Sequence, residues 1–294
     1  MKKEAILIIL LLLISFGFGC SSGKTKKYDI EYHKGTQALT LRFLPHMPPN
    51  TVYSGDVMDV IVEISNRGAY DVEYGEIYLT GFDTSIIPIF GENPLQFNVD
   101  GKNEYNHEGS KAIVQEELVD ITLPEGVDRY NTQIEAIACY DYQTTATIPI
   151  CVDPNPRINT HDACQANDVG GGGGQGAPVA ITSVQVEPGY EKLRLILTIN
   201  NAGNGVVIDG DACPFGYRYE ELGNVRYDTP QISGISLNCE PNGMIKLIDG
   251  SAKIYCSTTD LDANQAAFKS PLTMTLDYGY KSSTRTSLEV RSEI

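Results

Sequence analysis

The chain has no tryptophan and only four histidines in 294 residues, His33, His46, His107 and His161. None of the four stands in an HExxH frame, and no cysteines are spaced as CxxC or set against histidine at zinc spacing. A hydrolase needs a nucleophile with a base and an orienting group, or a metal with an open position. No stretch of this chain announces either, so no catalytic residue, metal ligand or cofactor is assigned. Asn-x-Ser/Thr is also missing, which removes that route to N-glycosylation. Basic residues are outnumbered, 22 Lys and Arg against 38 Asp and Glu, for a net charge of −16. Such a surface repels phosphate backbones and argues against nucleic acid as a partner. Beyond residue 20 there is no long run with a 3.6-residue apolar period, so helices should be few.

What is present begins at the N-terminus. Met1-Lys2-Lys3 precedes fourteen mostly apolar residues, 5–18, and then Gly19-Cys20-Ser21-Ser22. A helix of that length spans about 21 Å, short of the roughly 30 Å hydrocarbon core, which favours a cleaved export signal over a spanning helix. Gly19-Cys20 resembles the lipobox of prokaryotic lipoproteins, in which a small residue precedes a cysteine that receives a diacylglyceryl thioether. The resemblance implies a signal peptide at 1–19, lipidation at Cys20, membrane lipid as a partner through Cys20, and a lipid-anchored tether at 20–35. An uncleaved anchor and cleavage to a soluble product are the alternatives. Loss of 1–19 removes Lys2, Lys3 and Glu4 and takes the mature chain to −17.

With Cys20 given to lipid, six cysteines remain: Cys139, Cys151, Cys164, Cys213, Cys239 and Cys256. An even set in an exported chain reads as three disulfides.

The folded part repeats itself. Met58, Val60, Val62 and Ile64 alternate with mostly polar neighbours, as do Leu193, Leu195, Leu197 and Ile199, and each run ends in Asn-x-Gly, at Asn66 and at Asn201. Period-two alternation signals a half-buried strand. Asn and Gly tolerate positive φ, so both copies should turn there. Far downstream, 134–142 parallels 272–280, the first ending Tyr140-Asp-Tyr142 and the second Tyr278-Gly-Tyr280. Shorter β-like runs lie between, and Asp249-Gly250 is a two-residue hairpin signal. The reading is all-β, two tandem Ig-like antiparallel sandwiches at 36–153 and 178–294, joined by a Pro/Gly-rich connector at 154–177 that is semi-stiff and then flexible. Its glycines could instead cradle a phosphate, but no GK[ST] follows. The strand-Asn-x-Gly pattern resembles the CARDB-type, cell-adhesion-related Ig-like repeats of prokaryotic surface proteins, archaeal ones included.

The pleat suggests a cysteine pairing. If the chain turns back after Tyr142, so that Tyr142 faces Ile148 and Tyr140 faces Ile150, Cys139 comes opposite Cys151, and Pro149 lies on an edge. Cys239 and Cys256 flank the Asp249-Gly250 turn and form a second pair, with Gly243 ideally opposite Cys256 and a loop at 240–242 absorbing the offset. Elimination leaves Cys164 with Cys213.

Asp260-Leu-Asp262-Ala-Asn264 resembles the start of a calcium loop, although Gln265 replaces the turn glycine; solvated turn carboxylates are the other reading, here and at Asp209-Gly-Asp211. Tyr217, Tyr219 and Tyr227 cluster where exposed aromatics would stack on a sugar or a protein, or simply serve as strand residues. The expected function is that of a membrane-tethered, non-enzymatic surface lipoprotein acting in adhesion, envelope structure or protein binding, with a surface protein or glycan as partner. An accessory or solute-binding subunit of a membrane transporter or secretion machine is the alternative, and a hydrolase assembled only in three dimensions is a further rival.

Overall fold

The architecture turns on two strands far longer than the usual three to ten residues. A computed structural model describes residues 32–89, 91, 93–158, 164–209, 213, 218–259 and 261–293. Seven strands precede residue 153: β1 (Leu39–Phe43), β2 (Thr51–Tyr53), β3 (Met58–Asn66), β4 (Val72–Thr80), β5 (Leu95–Val99), β6 (Lys111–Leu118) and β7 (Arg129–Val152). Eleven follow it: β8 (Val169–Gly170), β9 (Val179–Gly189), β10 (Lys192–Asn201), β11 (Val206–Ile208), β12 (Asn224–Tyr227), β13 (Gln231–Ile232), β14 (Ile235–Ser236), β15 (Asn238–Glu240), β16 (Met244–Lys246), β17 (Ser251–Thr258) and β18 (Phe268–Arg291). Strands make up 56% of the structure, which makes the fold all-β.

The two halves share one topology. A three-stranded sheet runs β1-β3-β6, and its counterpart runs β9-β10-β17, with β8 and β15 added at the edges. Facing both is a ten-stranded sheet whose centre is β7 against β18; β4 and β5 flank it on one side, and β11, β12 and β16 occupy the matching places on the other. The expected runs at 58–64 and 193–199 are β3 and β10, with the alternating apolar residues buried in both.

The long strands form a continuous antiparallel ladder from Phe268 opposite Val152 to Arg291 opposite Arg129, without a register shift. From Ile134 to Val152 every even-numbered residue of β7 is buried. β7 pairs with β4 only as far as Tyr140 and then runs on to contact β9 in the second half. β18 returns the exchange, since its end pairs in parallel with β2 and touches β1. Each half thus lends a strand to the other, and one hydrophobic core runs through both.

This ladder corrects three expectations. The division at 153 and 178 does not separate two bodies, because Glu31–Ile294 forms one compact unit. No turn occurs between Tyr142 and Ile148, where Gln143-Thr-Thr-Ala-Thr147 holds no turn residue and three β-branched ones that favour extended backbone. Cys139 therefore cannot meet Cys151, since twelve residues of one strand at about 3.3 Å each set them about 40 Å apart. Cys139 instead joins Cys213, and Cys151 joins Cys164. Pro149 does lie on an edge, past the end of β4, where β18 is the only strand partner among the described residues. The glycine-rich stretch is not a flexible connector either: β8 pairs with β9, and Gly173 and Gly176 bond Gly35, near the end of the expected tether.

Cys239 joins Cys256 as expected, but directly opposite it in the β15–β17 pair rather than through an offset hairpin. Asp249 and Gly250 both adopt positive φ in a two-residue turn between Ile248 and Ser251. The strands it joins go to different sheets, because β16 pairs with β12 and β17 with β10.

Loop closure ranks the bridges. With a separation of 74 residues, loss of Cys139–Cys213 should cost about 4 kcal/mol, against about 3 kcal/mol for Cys151–Cys164 at 13 residues. Urea midpoints of the two paired Cys→Ser variants should fall in that order, and non-reducing peptide maps should link Cys139 to Cys213.

Candidate functional site

Midway along the ladder each long strand carries Tyr-x-Tyr. The register sets Tyr140 opposite Tyr280 and Tyr142 opposite Tyr278, all on the buried face. Four rings close a cycle with centroid spacings from 5.9 to 6.3 Å, in the tilted and edge-on geometries that aromatic quadrupoles favour.

Each buried hydroxyl needs a partner, and the repeated motif supplies it twice. Asn66 Oδ1 accepts from Gly68 N (3.1 Å) and the Tyr142 hydroxyl (3.2 Å), while its Nδ2 donates to Tyr70 O (2.7 Å). Asn201 Oδ1 accepts from Gly203 N (3.2 Å) and the Tyr280 hydroxyl (3.0 Å), and its Nδ2 donates to Gly205 O (2.9 Å). The other two tyrosines also match: Leu39 N donates to the Tyr140 hydroxyl (3.3 Å) and Val179 N to that of Tyr278 (3.4 Å). Ser282 bonds the first of these hydroxyls and Thr144 the second, each at 2.9 Å. The four tyrosines thus obey a pseudo-two-fold centred where Asp141 faces Gly279.

The Asn-x-Gly motif owes its glycine to space rather than to positive φ, which neither Asn66, Gly68, Asn201 nor Gly203 adopts. A Cβ on Gly68 would overlap the Tyr142 hydroxyl and lie 2.6 Å from Gly176 O and 2.7 Å from Gln37 O; on Gly203 it would lie 2.5 Å from the Tyr280 hydroxyl. Burial pushes all four tyrosines above the usual phenol range, most strongly at Tyr140, Tyr142 and Tyr278. Each hydroxyl in the cycle is already bonded to a structural neighbour, so the arrangement fixes one half against the other.

At the seam lies a cleft of about 280 Å³. Residues 36–41 form one wall, 202–205 the other, and Tyr280, Ser282 and Ser283 the floor. No lining residue is Asp, Glu, Lys or Arg.

The sequence-predicted candidates fall elsewhere. Cys20, Tyr217, His161, Asp211 and Asp260 lie outside the described residues. Tyr219 is 67% exposed, with the Lys246 ammonium 3.9 Å from its ring centroid, a cation–π pair on the surface. Tyr227 is not a surface residue: it is 7% exposed, shares the buried face of β12 with Val225, and donates its hydroxyl to Pro241 O. His33, His46 and His107 are exposed, and the His107 ring bonds Glu104 O. Asp262 Oδ1 accepts from Asn264 N (2.9 Å), a local turn, and Asp209 accepts from Asn224 Nδ2 (3.1 Å). Among the described residues no three His, Cys, Asp or Glu stand together as a metal site. Sequence reasoning found both Asn-x-Gly motifs and both tyrosine pairs but not their hydrogen bonds, for which the matched Asn-to-Tyr spacing was the available signal.

No family model matches the chain, and no curated protein matches it. Among solved structures it is similar to the secreted serine protease VesC from Vibrio cholerae, at 8% identity and TM-score 0.22, over 85% of this chain and 51% of that one. This chain therefore spans about half of VesC. A protein of unknown function from Porphyromonas gingivalis W83 matches at 9% identity and TM-score 0.21, over 88% of this chain and 100% of that one. The C-terminal domain of the AgI/II polypeptide BspA of Streptococcus agalactiae matches at 6% identity and TM-score 0.18, over 87% and 100%. Likeness at these scores carries no argument about function.

Proposed function

We propose that this protein is a membrane-tethered, extracytoplasmic lipoprotein that acts as a non-enzymatic binding module, in adhesion or in the structure of the cell envelope. Three disulfides are the chemistry of an oxidising, extracytoplasmic compartment. The observation that carries the reading is the reciprocal exchange of β7 and β18, reinforced by Cys139–Cys213, which spends the centre of the molecule on holding its two halves in fixed relation. Such a frame presents surfaces, among them the exposed Tyr219–Lys246 pair, to a surface protein or a glycan.

Cys20 supplies the tether. Buried methylenes contribute about 0.8 kcal/mol each, so two or more acyl chains hold a protein on a bilayer. In detergent phase separation the native chain should enter the detergent phase and Cys20→Ser the aqueous phase. A native chain found in water would remove the tether. The binding role is tested by crosslinking in the native membrane followed by mass spectrometry. Recurrent neighbours should appear, and Tyr219→Ala should lower the yield of any that map to that surface by about tenfold, the effect of losing about 1.4 kcal/mol. A turnover that depends on one side chain would overturn the non-enzymatic reading.

A further inference from the structure

The two halves treat one strand edge differently. In the second, the outer edge of β9 is covered. β8 pairs with it, Gly171 N donates to Thr182 O (2.9 Å), and the Gln175 side-chain amide accepts from Ile181 N (2.9 Å) and donates to Ile181 O (3.2 Å), taking the place of a strand. Thr144 Oγ1 closes the row on Val179 O (2.6 Å).

In the first half the matching strand is β1. Leu39 stands as Val179 does, its amide on a box tyrosine, and Leu41 faces Ile64 on β3 as Ile181 faces Ile199 on β10. Antiparallel strands turn successive residues' amides and carbonyls to opposite edges. Ala38 O and Leu44 N bond Arg67 and Ile61 on the β3 side, so Leu39, Leu41 and Phe43 face the other way. No described segment pairs with that edge. Gly35, in the place of Gln175, is bound instead to Gly173 and Gly176. The seam cleft lies along this edge, and its lining is uncharged on a chain of net charge −16.

We infer that the open edge of β1 at Leu39–Phe43 receives an extended, uncharged, glycine-rich segment of a partner protein as an added strand. This rests on the binding-module reading and names the chemistry of the partner. Main-chain hydrogen bonds at Leu41 and Phe43 supply the attraction, and the cleft selects small side chains. An uncharged wall gives no counter-charge to an ionic side chain, and burying one unpaired is costly. The segment that covers the equivalent edge of β9 has this composition: Val169-Gly170-Gly171 with the amide of Gln175.

The test uses the full chain and a peptide of residues 169–177, blocked at both ends, with amide hydrogen exchange as the readout. At saturation, exchange at Leu41 and Phe43 should slow at least tenfold. A peptide N-methylated at alternate glycines should have no effect, and Asn204→Trp, at an exposed position on the cleft wall, should abolish the protection. The proposal is overturned if the two amides exchange unchanged, if the N-methylated peptide protects equally, or if both are already protected in the free protein, which would place a segment of this chain on the edge. Any of these leaves the crosslinking result, and with it the broader binding role, standing or falling by itself.

Discussion

Above pH 10 the folded chain should lose about 4 kcal/mol of stability for each further pH unit. Tyr140, Tyr142 and Tyr278 are at most 5% exposed, and burial holds each above the usual phenol range. In the unfolded chain they ionise near pH 10. A group whose folded value is raised contributes stability that is fully present below its unfolded value and is lost as pH rises toward the folded one. One proton costs about 1.4 kcal/mol per pH unit, and three such groups give about 4. Against a total of about 5 to 15 kcal/mol, that slope unfolds the protein within a few pH units. Near-UV tyrosinate absorbance of the box should rise together with the loss of β-sheet circular dichroism, and Tyr278→Phe should reduce the slope by about a third. Ionisation of the box well before unfolding would show that these rings are not sealed from water.

Gly68→Ala should destabilise the fold by about 4 kcal/mol in urea denaturation. Overpacking against the backbone oxygens of Gly176 and Gln37 accounts for about 2 of these, and displacement of the Tyr142 hydroxyl from Asn66 for about 2 more. Gly203→Ala should cost about half as much, because the added Cβ would lie 2.5 Å from the Tyr280 hydroxyl and 2.6 Å from Pro178 Cβ, a milder overlap than at Gly68 and without the two backbone oxygens. Equal effects at the two sites would contradict the difference in their surroundings.

Much of this frame was legible in the residues. Alternation locates β3 and β10, and the paired Asn and Tyr motifs expose the duplication. The long ladder was not, for a specific reason. A turn that sets Tyr142 opposite Ile148 keeps even-numbered residues inward just as a straight strand does, so pleat parity cannot separate the two, and only the lack of Gly, Asn or Pro in 143–147 favours the straight path. The cysteine partners inherited that error, because Cys213 reaches Cys139 from a loop of the other half. Of the two readings open for Tyr227, the strand residue holds and the exposed aromatic does not, and Val225 and Arg226 already marked its side of β12 as inward. The open edge of β1 had no sequence signal, since it exists only by contrast with the covered edge of β9.

The crossed strands also bear on how the molecule carries load. A pull that draws the halves apart along the ribbon must slide β7 past β18, so the rungs between Arg129 and Val152 are strained together rather than peeled in succession. Under tension applied to its two halves, the molecule would in this geometry act as a shear clamp, stiff along the ribbon and weaker across it.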